Sequence, residues 1–246
     1  MEHPPGRPRA QTVIGEQPTA TFRQMRDWTL EQKDSVWLFT MRKGENRIGA
    51  VMLDTWNAVF DQIEQANVLR PLVVTGTDKY WSTGLDLDEI GGYSEAEQIR
   101  FMNQFDRLLG RILTAPVVTV AALNGHTIAG GALLALAHDY RVMRADRGYM
   151  SLPSVDVGIP FTPGMSALIS AKIPQPAAHD LVVSCRQIGG EEALRLGVIS
   201  SVADEDYVLP DAIQLATSLK DKDPDALQTV KRRLYPEAAS MLTART

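Results

Sequence analysis

The stretch PVVTVAALNGHTIAGGALLALAHD, residues 116–139, decides the fold. Its apolar first part predicts a buried β-strand over residues 116–122, and the Asn124-Gly125 pair that follows is typical of a turn. Gly130-Gly131 then opens an almost wholly apolar segment, which predicts a buried helix that ends near residue 139. A buried strand that leads through a turn into a buried helix is typical of α/β proteins.

The start of this predicted helix has a chemical consequence. The first backbone amides of a helix have no acceptor within the helix, and they lie at its positive end. Amides that are fixed in this way can stabilise a negative oxygen that develops during a reaction. Plain packing of the helix on the sheet, with the glycines serving only close approach, is the alternative.

A second stretch, VVTGTDKYWSTGLDL at residues 73–87, also joins a buried strand to a polar loop. Gly84 lets the backbone approach a ligand closely, so the amide of Leu85 can point outward. A plain turn explains this stretch equally well when it is considered alone.

The rest of the chain continues the alternation of strands and helices. Strands are predicted at residues 28–41, 71–75 and 140–143, and helices at residues 49–66 and 94–113. Further helices are predicted at residues 166–171, 175–184, 191–196, 209–220 and 224–234. This order favours an α/β architecture with right-handed crossovers, in which ligands bind at the ends of the strands.

Composition and charge exclude several classes of function. The net charge of −5 and the charged fraction of 22% provide no basic field, so nucleic acid is not an expected partner. No G-x-G-x-x-G follows a strand, which argues against a dinucleotide-binding reductase. The four histidines are scattered without ligand spacing, and Cys185 is the only cysteine, so no metal site or disulfide is predicted.

The two ends of the sequence and its longest uncharged run predict the cellular location of the protein. Residues 1–25 are Pro-rich at the start and are predicted to be a disordered tail without a secretion signal. The final residues are not of the peroxisomal tripeptide type, so we expect a cytoplasmic location. The uncharged run over residues 115–137 is broken by polar residues and glycines, so we expect no membrane span.

Four motifs in order carry a family resemblance. They are Ser82-Thr83-Gly84-Leu85-Asp86-Leu87, Asn124-Gly125 with Gly130-Gly131, PSVDVGI at residues 153–159 and GEEALRLGVI at residues 190–199. With them, residues 30–236 resemble the enoyl-CoA hydratase/isomerase (crotonase) family. Further similarities favour its Δ3,Δ2-enoyl-CoA isomerase branch, namely ALNGH at 122–126, HDY at 138–140, SAL at 166–168 with AK at 171–172, and LYPE at 234–237.

The resemblance implies a spiral of ββα units over residues 26–190 and a C-terminal helical region, residues 191–246, that assembles homotrimers or hexamers. It implies an acyl-CoA thioester as the partner, with coenzyme A as part of the substrate and no separate cofactor. The backbone amides of Leu85 and Gly130 would form the oxyanion hole. Leu87, Lys231 and Arg232 would contact coenzyme A, although a solvated basic helix end also explains the two cations.

The chain departs from the family at its two acidic positions, which here hold Leu133 and Ser154. A leucine transfers no proton, and a serine hydroxyl is too weak a base to act unaided. Hydration by two cooperating carboxylates is therefore not expected. The isomerase branch uses the carboxylate at the position of Ser154, so its chemistry would need another base.

Three interpretations follow. The first is isomerase-like chemistry with a different base, drawn from Asp86, Asp156, His126 and Tyr149, or from a water or anion beside Ser154. His126 and His138 could instead be core histidines, and the two aspartates could cap turns. The second is a non-catalytic acyl-CoA binding or regulatory protein. The third is thioester hydrolysis or carbon–carbon bond cleavage, for which a Ser154 nucleophile lacks an evident base.

Overall fold

The computed structural model describes residues 22–25 and 27–244, with side chains from residue 27 onward. Its strands are β1 (Phe22–Met25), β2 (Trp28–Lys33), β3 (Val36–Met41), β4 (Leu72–Thr75), β5 (Tyr80–Ser82), β6 (Thr119–Leu123), β7 (His126–Ile128), β8 (Tyr140–Arg144), β9 (Met150–Ser151) and β10 (Ser201–Ala203). Its helices are α1 (Ala50–Glu64), α2 (Leu87–Ile90), α3 (Glu95–Leu113), α4 (Gly130–Ala137), α5 (Ser154–Val157), α6 (Pro163–Lys172), α7 (Gln175–Ser184), α8 (Gly190–Arg195), α9 (Glu205–Ser218), α10 (Pro224–Leu234) and α11 (Pro236–Thr243).

Two sheets organise these elements. The larger has seven strands in the order β1-β2-β3-β4-β6-β8-β10, antiparallel from β1 to β3 and parallel from β3 onward. The smaller is parallel, in the order β5-β7-β9. Each of β4, β6 and β8 leads into a strand of the smaller sheet and then into a helix. The predicted spiral of ββα units is therefore confirmed.

The larger sheet is buried on both faces, as parallel strands with continuous apolar runs require. All residues of β3, β4 and β6 are buried. One face packs with α1, α3 and α4 into the main core. The other face is covered by α9, whose Val208, Ala212 and Ala216 join a second apolar cluster. The helices on the first face carry the candidate site.

The structure adds two details to the predicted division of the chain. Residues 22–25, placed in the predicted tail, form β1 and pair with β2, while residues 1–21 lie outside the described part. The C-terminal region is not wholly helical, because β10 pairs with β8 and α9 packs on the sheet of the same chain. Residues 26–190 and 191–246 therefore both contribute strands to the larger sheet. A role of the C-terminal region in assembly stays a prediction.

The uncharged run over residues 115–137 is divided among β6, β7 and α4. Within the described ranges, none of the helices combines the length and the apolar character that crossing a bilayer requires. The run is thus a buried strand, turn, strand and helix.

Candidate active site

The loop before α2 brings the backbone of Leu85 close to the start of α4. Gly84 has a φ of +95°, and a Cβ placed on it would lie 2.7 Å from the amide nitrogen of Gly130. Ile48 holds the loop from both sides: its N–H donates to the oxygen of Gly84 (2.8 Å), and its oxygen accepts from the N–H of Asp86 (3.0 Å). These bonds leave the N–H of Leu85 pointing away from Ile48.

The start of α4 is equally constrained. Ala129 adopts φ 51° and ψ −121°, which is uncommon for a residue with a side chain, and its N–H donates to the oxygen of Ser151 (3.0 Å). A Cβ on Gly131 would lie 2.5 Å from the oxygen of Ser82, so only glycine allows the helix to pack this closely. The buried helix therefore presents the amide of Gly130 at a fixed position.

The two amides share one feature. Within residues 22–25 and 27–244, no oxygen accepts a hydrogen bond from the N–H of Leu85 or from the N–H of Gly130. Both residues line a cavity of about 220 Å³. Two unpaired donors beside a cavity, one of them at the positive end of a helix, suit a negatively charged oxygen.

The cavity wall is apolar. Thr83 and Ser154 are its only polar side chains among the described residues, and no ionisable side chain lines it. The apolar side chains that enclose the space include Leu87, Met102, Phe105, Leu133, Phe161 and Met165. Such a wall suits an alkyl chain.

Comparison with known proteins agrees with this geometry. The profile of the enoyl-CoA hydratase/isomerase family matches residues 31–245. The chain belongs to this family. Enoyl-CoA delta isomerase 3 of Arabidopsis thaliana is 34% identical over 227 residues, which cover 87% of this chain and 94% of that protein. Enoyl-CoA delta isomerase 2, peroxisomal, of Arabidopsis thaliana is 33% identical over 235 residues, covering 89% and 96%.

A solved structure extends the likeness to three dimensions. The crystal structure of a probable enoyl-CoA hydratase from Mycobacterium tuberculosis H37Rv matches with a TM-score of 0.81 at 24% identity, covering 87% of this chain and 91% of that one. This likeness concerns the fold. Both plant relatives are named for an enzymatic activity, which supports an enzyme of this kind.

The structure brings the predicted residues of this enoyl-CoA hydratase/isomerase family member together. Leu85, Leu87, Gly130, Leu133 and Ser154 all line the same cavity. The side chain of Leu133 is buried one turn after Gly130.

Ser154, the first residue of α5, is 9% exposed. Its hydroxyl donates a short hydrogen bond to the backbone oxygen of Ile159, whose N–H in turn donates to the oxygen of Ser154 (3.1 Å). The hydroxyl proton is thus engaged with the backbone, and in the described part of the chain no basic side chain hydrogen-bonds to it. That Leu133 and Ser154 replace acidic residues of the family stays an expectation from the sequence resemblance.

The alternative bases named from the sequence do not line the cavity. The carboxylate of Asp86 caps α2 by accepting from the N–H of Glu89 (3.4 Å), and Asp156 is exposed. His126 packs between Tyr80 and Tyr149, with ring centroids 5.5 and 4.3 Å away. Burial is the largest cause that lowers the pKa of His126. These four residues therefore lie outside the described lining of the cavity, and a role for any of them as the base stays a prediction.

His138 is a core histidine. It is fully buried, and its Nδ1 is 2.8 Å from the oxygen of Leu134. Burial lowers the pKa of His138 to about 3, so the ring is neutral at pH 7.

Lys231 requires a correction, because its ammonium is not free to contact coenzyme A. Its side chain is buried, and Nζ donates to the oxygens of Ala115 (3.1 Å) and Val117 (2.8 Å) and to Oδ2 of Asp139 (2.6 Å). Burial lowers the pKa of Lys231, against the opposite effect of Asp139. Lys231 therefore ties α10 to the larger sheet. Arg232 is exposed, and its contact with coenzyme A stays a prediction.

A second cavity was not predicted from the sequence. It has a volume of about 310 Å³ and is lined by Lys43, Arg47, Asp86 and Glu89, among others. Asp86 directly precedes Leu87, which lines the apolar cavity. The sequence does contain a sign of this second cavity. Basic residues follow β3, and ligands bind where parallel strands end.

Proposed function

We propose that the protein binds an acyl-CoA thioester and catalyses enoyl-CoA isomerase-like chemistry through a thioester enolate. The observation that carries this proposal is the pair of unpaired amides, Leu85 and Gly130, beside an apolar cavity. Loss of a proton from the α-carbon sends an electron pair toward the carbonyl, so negative charge builds on the thioester oxygen. Two fixed donors at that oxygen lower the barrier to enolate formation.

The two cavities suggest how the substrate lies. The acyl chain would occupy the apolar cavity, with its α-carbon near Leu133 and Ser154. The charged cavity would take the coenzyme A portion, with Lys43 and Arg47 near its phosphates. Arg47 also contacts Glu45 (2.6 Å) and Asp88 (2.7 Å), which fixes the direction of its guanidinium. Coenzyme A enters as part of the substrate, and no separate cofactor takes part in this chemistry.

The proposal is tested by incubating the pure protein with 3-enoyl-CoA, 2-enoyl-CoA and saturated acyl-CoA while measuring both binding and turnover. We expect each thioester to raise the melting temperature, because a ligand of the folded state stabilises it by RT ln(1 + [L]/Kd). We also expect interconversion of the two enoyl-CoA isomers. Failure of a series of chain lengths to bind would overturn the proposal.

A non-catalytic acyl-CoA binding protein is the second candidate, because no ionisable side chain lines the described cavity. Binding without turnover in the same experiment would select it. Thioester hydrolysis or carbon–carbon cleavage by Ser154 has less support, since its hydroxyl donates to the oxygen of Ile159 and contacts no base.

Assembly and location are also part of the proposal. Apolar side chains that are exposed on the single chain in its C-terminal part, including Leu234 (64%) and Met241 (40%), support contacts between copies. We infer a homotrimer or hexamer, which the mass of the particle in solution would test. We further infer a cytoplasmic location, which imaging of the tagged full chain would test.

A further inference from the structure

The apolar cavity has a buried end and an exposed rim. Three of its lining side chains are at most 2% exposed and come from three different helices: Phe105 of α3, Leu133 of α4 and Met165 of α6. Three others, on the short helices α2 and α5 and just after α5, are between 42% and 54% exposed: Leu87, Val157 and Ile159. Within the described residues, the cavity therefore opens near α2 and α5 and is closed by α3, α4 and α6.

The C-terminal helix α11 joins two of the helices at the buried end. It packs on both α3 and α6, and its Leu242 is fully buried there. A Cβ placed on Gly110 of α3 or on Gly164 of α6 would lie 3.1 Å or 2.8 Å from the side chain of Leu242. Leu242 thus fills the space that these two glycines leave. Because such a core is close-packed, α3 and α6 cannot separate without opening a void around Leu242.

A hydrogen bond forms a second link between α3 and α6. Asp106, the residue after Phe105, is 8% exposed, and its Oδ1 accepts from the hydroxyl of Thr162 (3.0 Å). This hydroxyl also accepts from the N–H of Met165 (3.1 Å) at the start of α6. Burial raises the pKa of Asp106 to about 6, with the bond from Thr162 opposing it. A longer acyl chain would have to break this bond as well as the apolar packing to push Phe105 and Met165 apart.

The volume of the cavity corresponds to a limited number of carbon atoms. An apolar protein cavity of about 150 Å³ binds benzene, a six-carbon ring. At the same volume per carbon atom, the cavity of about 220 Å³ holds about nine carbon atoms. The thioester carbon beside the amides of Leu85 and Gly130 is one of them, so the cavity accommodates an acyl group of about eight to nine carbon atoms.

We propose that the buried end of this cavity limits the length of the bound acyl chain and makes the protein selective for medium-chain thioesters, with Phe105 and Met165 as the residues that determine this specificity. The inference rests on the proposed function, because it takes the apolar cavity as the acyl site. When the thioester oxygen lies at the two amides, the end of an acyl chain of about eight carbon atoms contacts Phe105 and Met165. Further methylenes find no space, since the helices that carry these two side chains are held together.

The test measures the dissociation constants of butanoyl-, hexanoyl-, octanoyl-, decanoyl- and dodecanoyl-CoA by calorimetry. For the wild type, we expect affinity to rise about fourfold with each added methylene up to octanoyl-CoA, which is the effect of moving one methylene from water into apolar surroundings. From decanoyl-CoA onward, affinity should rise no further. The chain length at which the rise ends is the quantity compared between variants.

Phe105→Ala enlarges the buried end, so the rise in affinity should continue to dodecanoyl-CoA, which should bind about tenfold more tightly than it binds the wild type. Phe101→Ala is the matched control, because Phe101 is a buried phenylalanine of the same helix that lies outside the described lining of the cavity. It should leave the end of the rise at octanoyl-CoA. Because loss of a buried ring can unfold a protein, Phe105→Leu and Met165→Ala are measured as well, and both should move the end of the rise to a longer chain.

Three outcomes overturn the inference. Wild-type affinity that keeps rising through dodecanoyl-CoA would show that the chain leaves the cavity at its rim, past Leu87 and Val157. Equal affinity for all five thioesters would show that the acyl chain binds outside the cavity. An unchanged chain-length limit in folded Phe105→Leu and Met165→Ala, or the same shift in Phe101→Ala, would remove the two residues from specificity. Failure of all five thioesters to bind would instead overturn the proposed function itself.

Discussion

One side of the apolar cavity presents backbone amides, and the other side presents side chains. On one side, the amides of Leu85 and Gly130 are placed by backbone path and by close approach at Gly84. On the other side, side chains form the wall, among them Leu133 and Ser154. Backbone donors persist as long as the fold persists, whereas proton transfer depends on single side chains. In the proposed chemistry, a side-chain substitution can therefore remove proton transfer while the two amides stay in place.

The largest expected effect comes from restoring the side-chain chemistry. We expect Ser154→Glu to raise Δ3,Δ2-enoyl-CoA isomerase activity by about 10²–10⁴-fold, because a correctly aimed carboxylate transfers protons far better than a hydroxyl. The assay is conversion of 3-enoyl-CoA to 2-enoyl-CoA. Ser154→Gln is the matched control, since it has a similar size and no basic group, and it should give no gain.

A buried glutamate can lower stability, so folding and acyl-CoA binding are measured in the same Ser154→Glu variant. A folded variant that binds 3-enoyl-CoA and gains nothing, beside a wild type that turns over briskly, would contradict the prediction. In that case the base of this chain lies elsewhere, and Ser154 does not occupy its place.

The contribution of the two backbone amides is tested by removing the N–H of Gly130. Gly130→Pro should lower turnover by about 10²–10³-fold, because proline has no N–H, while its fixed φ is tolerated at the first position of a helix. Gly130→Ala is the control, since it keeps the amide and adds a Cβ about 3.2 Å from Leu85. If the proline variant folds and keeps wild-type kinetics, Gly130 is not an oxyanion donor.

The fold could be predicted largely because its elements have strong periodic patterns. Helices α7 and α10 begin and end where the sequence places them. Helix α9 was predicted to begin at residue 209, so that Pro210 would fall in its first turn, but it begins at Glu205. Burial of its apolar face on the sheet outweighs the hydrogen bond that Pro210 removes.

Short strands and side-chain partners were harder to predict. Strands β5, β7 and β9 have two or three residues each, too few for a recognisable alternation. The site amides could be predicted because glycines mark them in the sequence. The burial of Lys231 could not, because its three acceptors lie about a hundred residues away in the chain.

Lys231 and Arg232 allow a comparison of a structural cation with an exposed one. We expect Lys231→Met to lower the free energy of unfolding by about 2 kcal/mol, because Asp139 loses its ion pair and two backbone oxygens lose their donor. Acyl-CoA affinity should stay unchanged. Arg232→Met should leave stability unchanged, and it should weaken binding if Arg232 contacts coenzyme A. If Lys231→Met lost affinity for acyl-CoA while its stability stayed unchanged, Lys231 would be a coenzyme A contact after all.

The smallest effect concerns the stability of the cavity wall. The pKa of Asp106 in the folded protein, about 6, lies above its usual value of 3.8, so the folded state binds more protons than the unfolded state between these values. The charge of Asp106 therefore lowers stability progressively as the pH rises from about 4 to 6. Asp106→Asn, whose amide oxygen still accepts from Thr162, should be about 1–2 kcal/mol more stable than wild type at pH 7 and nearly equal to it at pH 4.

Urea unfolding at both pH values measures this difference, with Asp156→Asn as the exposed control. A gain at pH 7 would show that the charge of this carboxylate has no compensating partner in the folded protein. Destabilisation at pH 7 would show instead that its charge is compensated in the folded protein.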